Sequence, residues 1–134
     1  MTLTAWKAVE QGDAIVARLR DTGRSVRDNA ICAVSQLGLK AHAGKVAEFL
    51  KDPDSTTRCQ AASALAALGA KEYAGEIVPL LSDPVFDSVR AVAADTLGTL
   101  GATEHTDAIA ALLKDKSSTA RAKAAEVLAR ASTL

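Results

Sequence analysis

The chain has 134 residues, enough for one domain that buries roughly two-thirds of its unfolded surface. Sixteen basic and sixteen acidic residues cancel, which removes the sequence-independent attraction that nucleic acid or an anionic membrane would need. Hydrophobic residues make up 49% and aromatics only 3%, so the core has to be built from Ala, Leu, Val and Ile, which suits closely packed helices.

The opening MTLTAWKAVEQ has no basic region followed by an apolar stretch, and no run approaches the roughly 18 apolar residues of a spanning helix. A cytoplasmic protein without a membrane partner is expected. A short helix is predicted around Leu3 to Glu10, with Trp6 as a lid over the N-terminal end of the array. First helices are then expected near 11–20, 42–51, 72–81 and 105–114, and second helices near 25–37, 56–68, 89–100 and 118–131. The third pair shows why. Ile77, Val78, Leu80 and Leu81 lie on one broad stripe, the spacing of a helix with one buried face. Asp83-Pro84 stops that helix, because proline disfavours helical geometry in the residue before it. Asp87 or Ser88 can cap the next helix, which turns Val89, Ala93, Leu97 and Leu100 inward before Gly101 ends it. Cys32 and Cys59 are too few for a disulfide framework and are read as free thiols offset by about one turn on neighbouring helices.

Self-similarity organises the whole chain. Arg27, Arg58, Arg90 and Arg121 recur at intervals of 31, 32 and 31 residues. Each has an aspartate upstream (Asp21, Asp52, Asp83 and Asp115), and the units close on Leu37-Gly38, Leu68-Gly69 and Leu100-Gly101, with Ala131-Ser132 at the last position. Such a period means stacked units, each too small to bury its own apolar face. One domain over 1–134 follows, with repeats at about 8–38, 39–69, 70–101 and 102–132. Arg18 stands where later units have Phe49, Leu80 and Leu112, and Ala131 where earlier ones have leucine, so both outer faces become less apolar.

The run Val89-Arg90-x-x-Ala93-Ala94-x-x-Leu97-Gly98-x-Leu100-Gly101 behind Asp83-Pro84 resembles a HEAT repeat, particularly the short HEAT-like variety of phycobilisome lyase subunits and designed HEAT arrays. The resemblance implies an all-α fold, a right-handed α-solenoid of four HEAT-like helical hairpins with a short N-terminal capping helix. It also implies a hydrogen-bonded ladder along the stack. Asp21, Asp52, Asp83 and Asp115, with Arg27, Arg58, Arg90 and Arg121, match that pattern residue by residue. Paired charges at this spacing are better explained as structure than as a phosphate-binding stripe.

Chemistry-bearing motifs are thin. His42 and His105 share a frame position two units apart, too far for a common metal. A HEAT-fold enzyme family, deoxyhypusine hydroxylase, holds its metals through repeated His-Glu pairs; this chain has a single Glu104-His105 in the reverse order. Gly-rich phosphate loops, Gly-x-Ser-x-Gly and Cys-x-x-Cys are absent. No cofactor, metal or catalytic residue is therefore expected.

In HEAT-like arrays the second helices line the concave side. The positions left after the core and the arginine are Asp28, Asn29, Cys32 and Gln36; Cys59, Gln60, Ser63 and Ala67; Ala91, Val92, Asp95 and Thr99; Ala122, Lys123, Glu126 and Arg130. Small and amide side chains suit docking of a helix or an extended peptide. The third turn carries one extra residue, Asp83-Pro84-Val85-Phe86-Asp87. Phe86 there either anchors a partner or, the preferred reading, folds back over the turn to gain burial. A non-catalytic protein-binding scaffold is the functional expectation. The alternative implied by the resemblance is a lyase-type accessory subunit that chaperones a chromophore or partner enzyme, with Cys32, Cys59, His42, Tyr73 or His105 as the residues of interest.

Overall fold

The computed structural model describes residues 2–132, and the side chains of residues 5–9 lie outside that description, so the lid expected of Trp6 falls outside the described residues. Eight α-helices and no strand occur among the described residues. Helix α1 (Leu3–Ala17) runs into a 3₁₀ turn at Arg18–Arg20 and is followed by α2 (Arg24–Gln36). Helix α3 (Ala43–Ala47) sits between 3₁₀ turns Lys40–His42 and Glu48–Lys51 and precedes α4 (Ser55–Ala67). Helix α5 (Ala74–Ile77), between Lys71–Tyr73 and Val78–Ser82, precedes α6 (Asp87–Thr99). Helix α7 (Thr106–Ala111), between Thr103–His105 and Leu112–Lys114, precedes α8 (Ser118–Ser132).

One expectation about the N-terminus is corrected. Leu3 to Glu10 is not a separate capping helix but the first half of α1. The helix runs on through Gly12, which is buried in contact with Leu39: a Cβ added there would lie 3.5 Å from both Leu39 methyls.

The second helices carry the stack, α2 packing on α4, α4 on α6 and α6 on α8. Their inward side chains, including Ile31, Val34, Leu65, Leu97 and Val127, form one core with Val46 and Ile77 from the short first helices. Helices α2, α4 and α6 end the same way. Gly38, Gly69 and Gly101 adopt φ of 65°, 63° and 65°, a left-handed conformation that glycine enters without a Cβ clash. The next residue's N–H then reaches back to Val34, Leu65 or Leu97, while the glycine's own N–H bonds Ser35, Ala66 or Gly98. Two of the orphan carbonyls of each helix end are thereby satisfied. Each reversal brings the chain back onto the core at a fixed angle.

At the third boundary Gly98 lets α6 and α8 approach closely, since an added Cβ would stand 2.5 Å from Val127 Cγ1. The corresponding residues upstream are Ser35 with Ala64 and Ala66 with Thr96. The largest residue of the series therefore faces the smallest.

Candidate functional site

The turns between first and second helices form the polar edge of the stack. Each turn aspartate accepts from a backbone N–H two residues on, at Gly23 (2.8 Å), Asp54 (2.9 Å), Val85 (3.1 Å) and Ser117 (2.8 Å). Asp83 also takes Phe86 N–H at 2.7 Å, which accommodates the extra residue of that turn. Each frame arginine donates Nη1 to the carbonyl of its own turn aspartate, at 2.9 Å for Arg27, Arg58 and Arg90 and 2.7 Å for Arg121.

Two of the arginines also reach the next unit. Arg58 Nη2 donates to Asp83 Oδ1 at 3.0 Å, and Arg90 grips Asp115 with Nε at 2.8 Å and Nη2 at 2.9 Å. Among the described residues no ion pair joins Arg27 to Asp52. The first boundary is tied elsewhere: Arg24 Nη1 lies 3.0 Å from Asp54 Oδ2, and Thr57 Oγ1 donates to Asp28 Oδ1 at 2.8 Å. Ser117 Oγ repeats the outer tie at the third boundary by donating to Asp87 Oδ2 at 2.7 Å. Sequence reasoning missed this second line of ties. Its signal was the polar residue preceding each second helix, Asp54 and Ser117, which falls 30 residues, one short of the period, after Arg24 and Asp87. In the third unit Phe86 takes that position, and α6 starts without a side-chain cap.

Electrostatics follow the geometry. Hydrogen bonds from the Arg90 guanidinium hold the Asp115 carboxyl below the usual carboxylate range and raise Arg90 in return. Burial alone would raise Asp83, but the N–H groups of Phe86 and Val85 and the Arg58 guanidinium together bring it down. Burial pushes the Cys59 thiol up, opposed by Arg58 and reinforced by Asp83. Cys32 and Cys59 are both free thiols.

The residues expected on the docking face divide into three kinds. Asn29, Gln36, Ser63, Thr99, Glu126 and Arg130 are exposed, and Cys32, Cys59, Gln60, Val92, Asp95 and Lys123 are half-buried. Asp28 is corrected: it is 8% exposed and held by Thr57 and Arg24, so it belongs to the interior. Ala91 is likewise buried, whereas Ala67 and Ala122 are exposed. On α2 and α4 the remaining face residues, Asn29, Cys32, Gln36, Cys59, Gln60 and Ser63, are uncharged. On α6 and α8 they carry a charge cluster, with Arg130 Nη2 2.9 Å and Lys123 Nζ 4.0 Å from Asp95 Oδ1, and Lys123 3.3 Å from Glu126. Gln60 Oε1 is buried without a hydrogen-bond partner among the described residues.

Phe86 remains 43% exposed and its neighbour Val85 more so, so the fold-back is at most partial. His42 and His105 are half-buried in separate units; His105 Nε2 is 3.8 Å from Glu104 Oε1. Among the described residues no group of three or more His, Cys, Asp or Glu is placed to hold a metal ion, and no helix is long and apolar enough to cross a membrane.

No known family profile and no curated protein sequence matches the chain. Solved structures do. The fold and its repeated turn define a HEAT-like α-helical repeat protein. In particular, the chain is similar to a chain in the complex of CpcE and CpcF of phycocyanin lyase from Nostoc sp. PCC7120, with a TM-score of 0.79 and 25% identity over 92% of this chain and 53% of that one. Human deoxyhypusine hydroxylase matches at TM-score 0.77 and 19% identity, covering 98% of this chain and 47% of that one. An engineered protein matches at TM-score 0.68 and 19% identity, covering 90% and 62%. The chain thus spans about half the length of the two natural proteins.

Proposed function

We propose that the chain is a non-catalytic binding scaffold, one array over residues 1–134 that docks a protein or peptide on the concave face of its second helices. The observation that carries this reading is the uncharged polar stretch on α2 and α4, centred on Gln60, whose buried Oε1 lacks a partner. A buried acceptor left open costs roughly 1–3 kcal/mol unless something donates to it. Turned outward, the half-buried Gln60 amide would accept from a backbone N–H of a docked segment, with Asn29, Gln36 and Ser63 offering further side-chain hydrogen bonds beside it.

A lyase-type accessory role is the second reading, supported by the likeness to a chain from a two-protein phycocyanin lyase complex. One experiment addresses both. Wild type, Gln60→Lys with Ser63→Lys, and a control Glu76→Lys on the other helix layer serve as baits, and the absorbance of each purified protein is recorded. The scaffold reading expects a colourless protein whose captured partner is lost only with the face variant. Co-purifying visible absorbance favours the accessory reading, and equal capture by all three baits refutes the face.

A further inference from the structure

If the second helices are the docking face, as proposed above, the repeat frame narrows the shape of what they hold. Asn29, Gln60, Val92 and Lys123 occupy one frame position, at intervals of 31, 32 and 31 residues. They stand in a row across α2, α4, α6 and α8, which pack in that order. The first two are amides, the third is apolar, and the fourth is an ammonium already 3.3 Å from Glu126. Among the described residues neither the Asn29 nor the Gln60 side chain makes a hydrogen bond, and Gln60 Oε1 is buried without one. We propose that this row reads the backbone of an uncharged polyproline-II segment lying across the second helices, one amide to every third residue of the segment.

Spacing selects that shape. Packed helices lie about 8–10 Å apart, so neighbouring positions of the row recur at about that interval. A polyproline-II chain turns once every three residues and rises about 3.1 Å per residue, so residues i and i+3 present the same side about 9 Å apart. A β-strand presents the same side every second residue, about 6.8 Å apart, and falls out of step with the row after one unit. An α-helix spends its N–H groups on its own carbonyls and leaves none for Gln60 beyond its first turn. A polyproline-II backbone has no internal hydrogen bonds. Each amide of the row can therefore accept an N–H from it or donate to one of its carbonyls.

The rest of the row limits the side chains the segment carries. Around Asn29 and Gln60 the face is uncharged, so a charged residue there would lose water and gain no partner. Val92 is half-buried and offers no hydrogen bond, so the position beyond Gln60 takes an apolar side chain. Lys123 is engaged by Glu126 and lies 4.0 Å from Asp95, which ends the row without calling for an acidic residue. Proline suits the segment wherever no N–H is needed, because its ring holds the polyproline-II angle, and it is excluded only where its missing N–H would face Gln60.

The test uses three synthetic peptides: four Ala-Pro-Pro repeats, a polyproline-II chain with one N–H at every third residue; twelve prolines, the same shape without them; and a helical peptide of alanine, lysine and glutamate. NMR of the full chain follows the side-chain amide signals of Asn29 and Gln60. The Ala-Pro-Pro peptide is expected to shift both and to bind roughly tenfold more tightly than the prolines. Gln60→Met removes an unsatisfied acceptor, so it should fold with an equal or higher Tm and bring the two affinities within about twofold of each other. Asn29→Ala, at an exposed site, should weaken the Ala-Pro-Pro peptide alone. Equal binding of the two proline-rich peptides, preference for the helical peptide, or a difference that survives Gln60→Met overturns the proposal and leaves the face in place. Silence with all three peptides overturns it as well, whereas failure of the face itself shows separately, as equal capture by the face and control baits.

Discussion

Replacing Arg90 by alanine removes the most heavily used side chain of the turn ladder. Arg90 is 5% exposed and donates to Asp115 at 2.8 and 2.9 Å and to the Asp83 carbonyl at 2.9 Å. Without it the Asp115 carboxylate keeps only the Ser117 N–H, and the Asp83 carbonyl loses its side-chain donor. Removing one partner of a fully buried ion pair costs about 3–5 kcal/mol; Asp115 is only half-buried, so we expect Arg90→Ala to cost about 2–3 kcal/mol. Arg121 is the internal control. It is exposed and makes one hydrogen bond, to the Asp115 carbonyl, so Arg121→Ala should cost less than about 1 kcal/mol. With a urea slope of about 1–3 kcal/mol per molar, circular dichroism should separate the two midpoints by about 1 M. The pH dependence has a definite sign. Because the folded Asp115 carboxyl lies below its unfolded value, its contribution is present above about pH 4 and is lost as the pH falls through the folded value. The gap between wild type and Arg90→Ala should therefore narrow in acid. Equal, small losses at Arg90 and Arg121 would refute the ladder as a source of stability.

Gly98→Ala should destabilise by about 1–3 kcal/mol despite alanine's better helix propensity, because the new Cβ meets Val127 Cγ1 at 2.5 Å; adding Val127→Ala should recover most of the loss, and failure of that rescue would show that the contact is not the cause. Thiol titration of the native protein should count two reactive groups, with Cys59 still gaining rate at pH values where an ordinary thiol has levelled off, since burial raises it; no reactive groups and a mass two protons lighter would contradict the free thiols. Phe86→Ser exchanges a half-exposed ring for a capping hydroxyl at the start of α6, two effects of about 1 kcal/mol and opposite sign. Its Tm should stay within a few degrees of wild type, and a large fall would mean that Phe86 staples the turn.

Much of the architecture was legible because its determinants are local and periodic. Leu37-Gly38, Leu68-Gly69 and Leu100-Gly101 each specify a left-handed helix end, and Asp83-Pro84 specifies a stop. The second-helix boundaries accordingly agree with the spacing to within a residue or two. Less legible was whatever depends on the distance between helices. The continuity of α1 from Leu3 through Gly12, which packs against Leu39, is not visible in the spacing, and the first helices tighten into 3₁₀ turns that periodicity does not resolve. Among candidate site residues, Asp28 reads as a face position because it is left over once the core and the frame arginine are assigned. Its burial depends on Thr57, 29 residues away, presenting a hydroxyl at the same level of the stack. Arg27 matches the ladder in sequence, yet the forward ion pair forms only at the second and third boundaries. Pairings between residues about 25 apart depend on the rise of each unit, which sequence spacing alone does not give.

The central claim is that partners engage the face around Gln60. Site-specific photocrosslinking tests it most directly, with the crosslinker at Ser63 on α4 in one sample and at Glu76 on α5 in another, each incubated with the captured partner. The docking account predicts covalent adducts from Ser63 that disappear when Gln60→Lys is added, and few from Glu76. Adducts of equal yield from both positions, or from Glu76 alone, would contradict it.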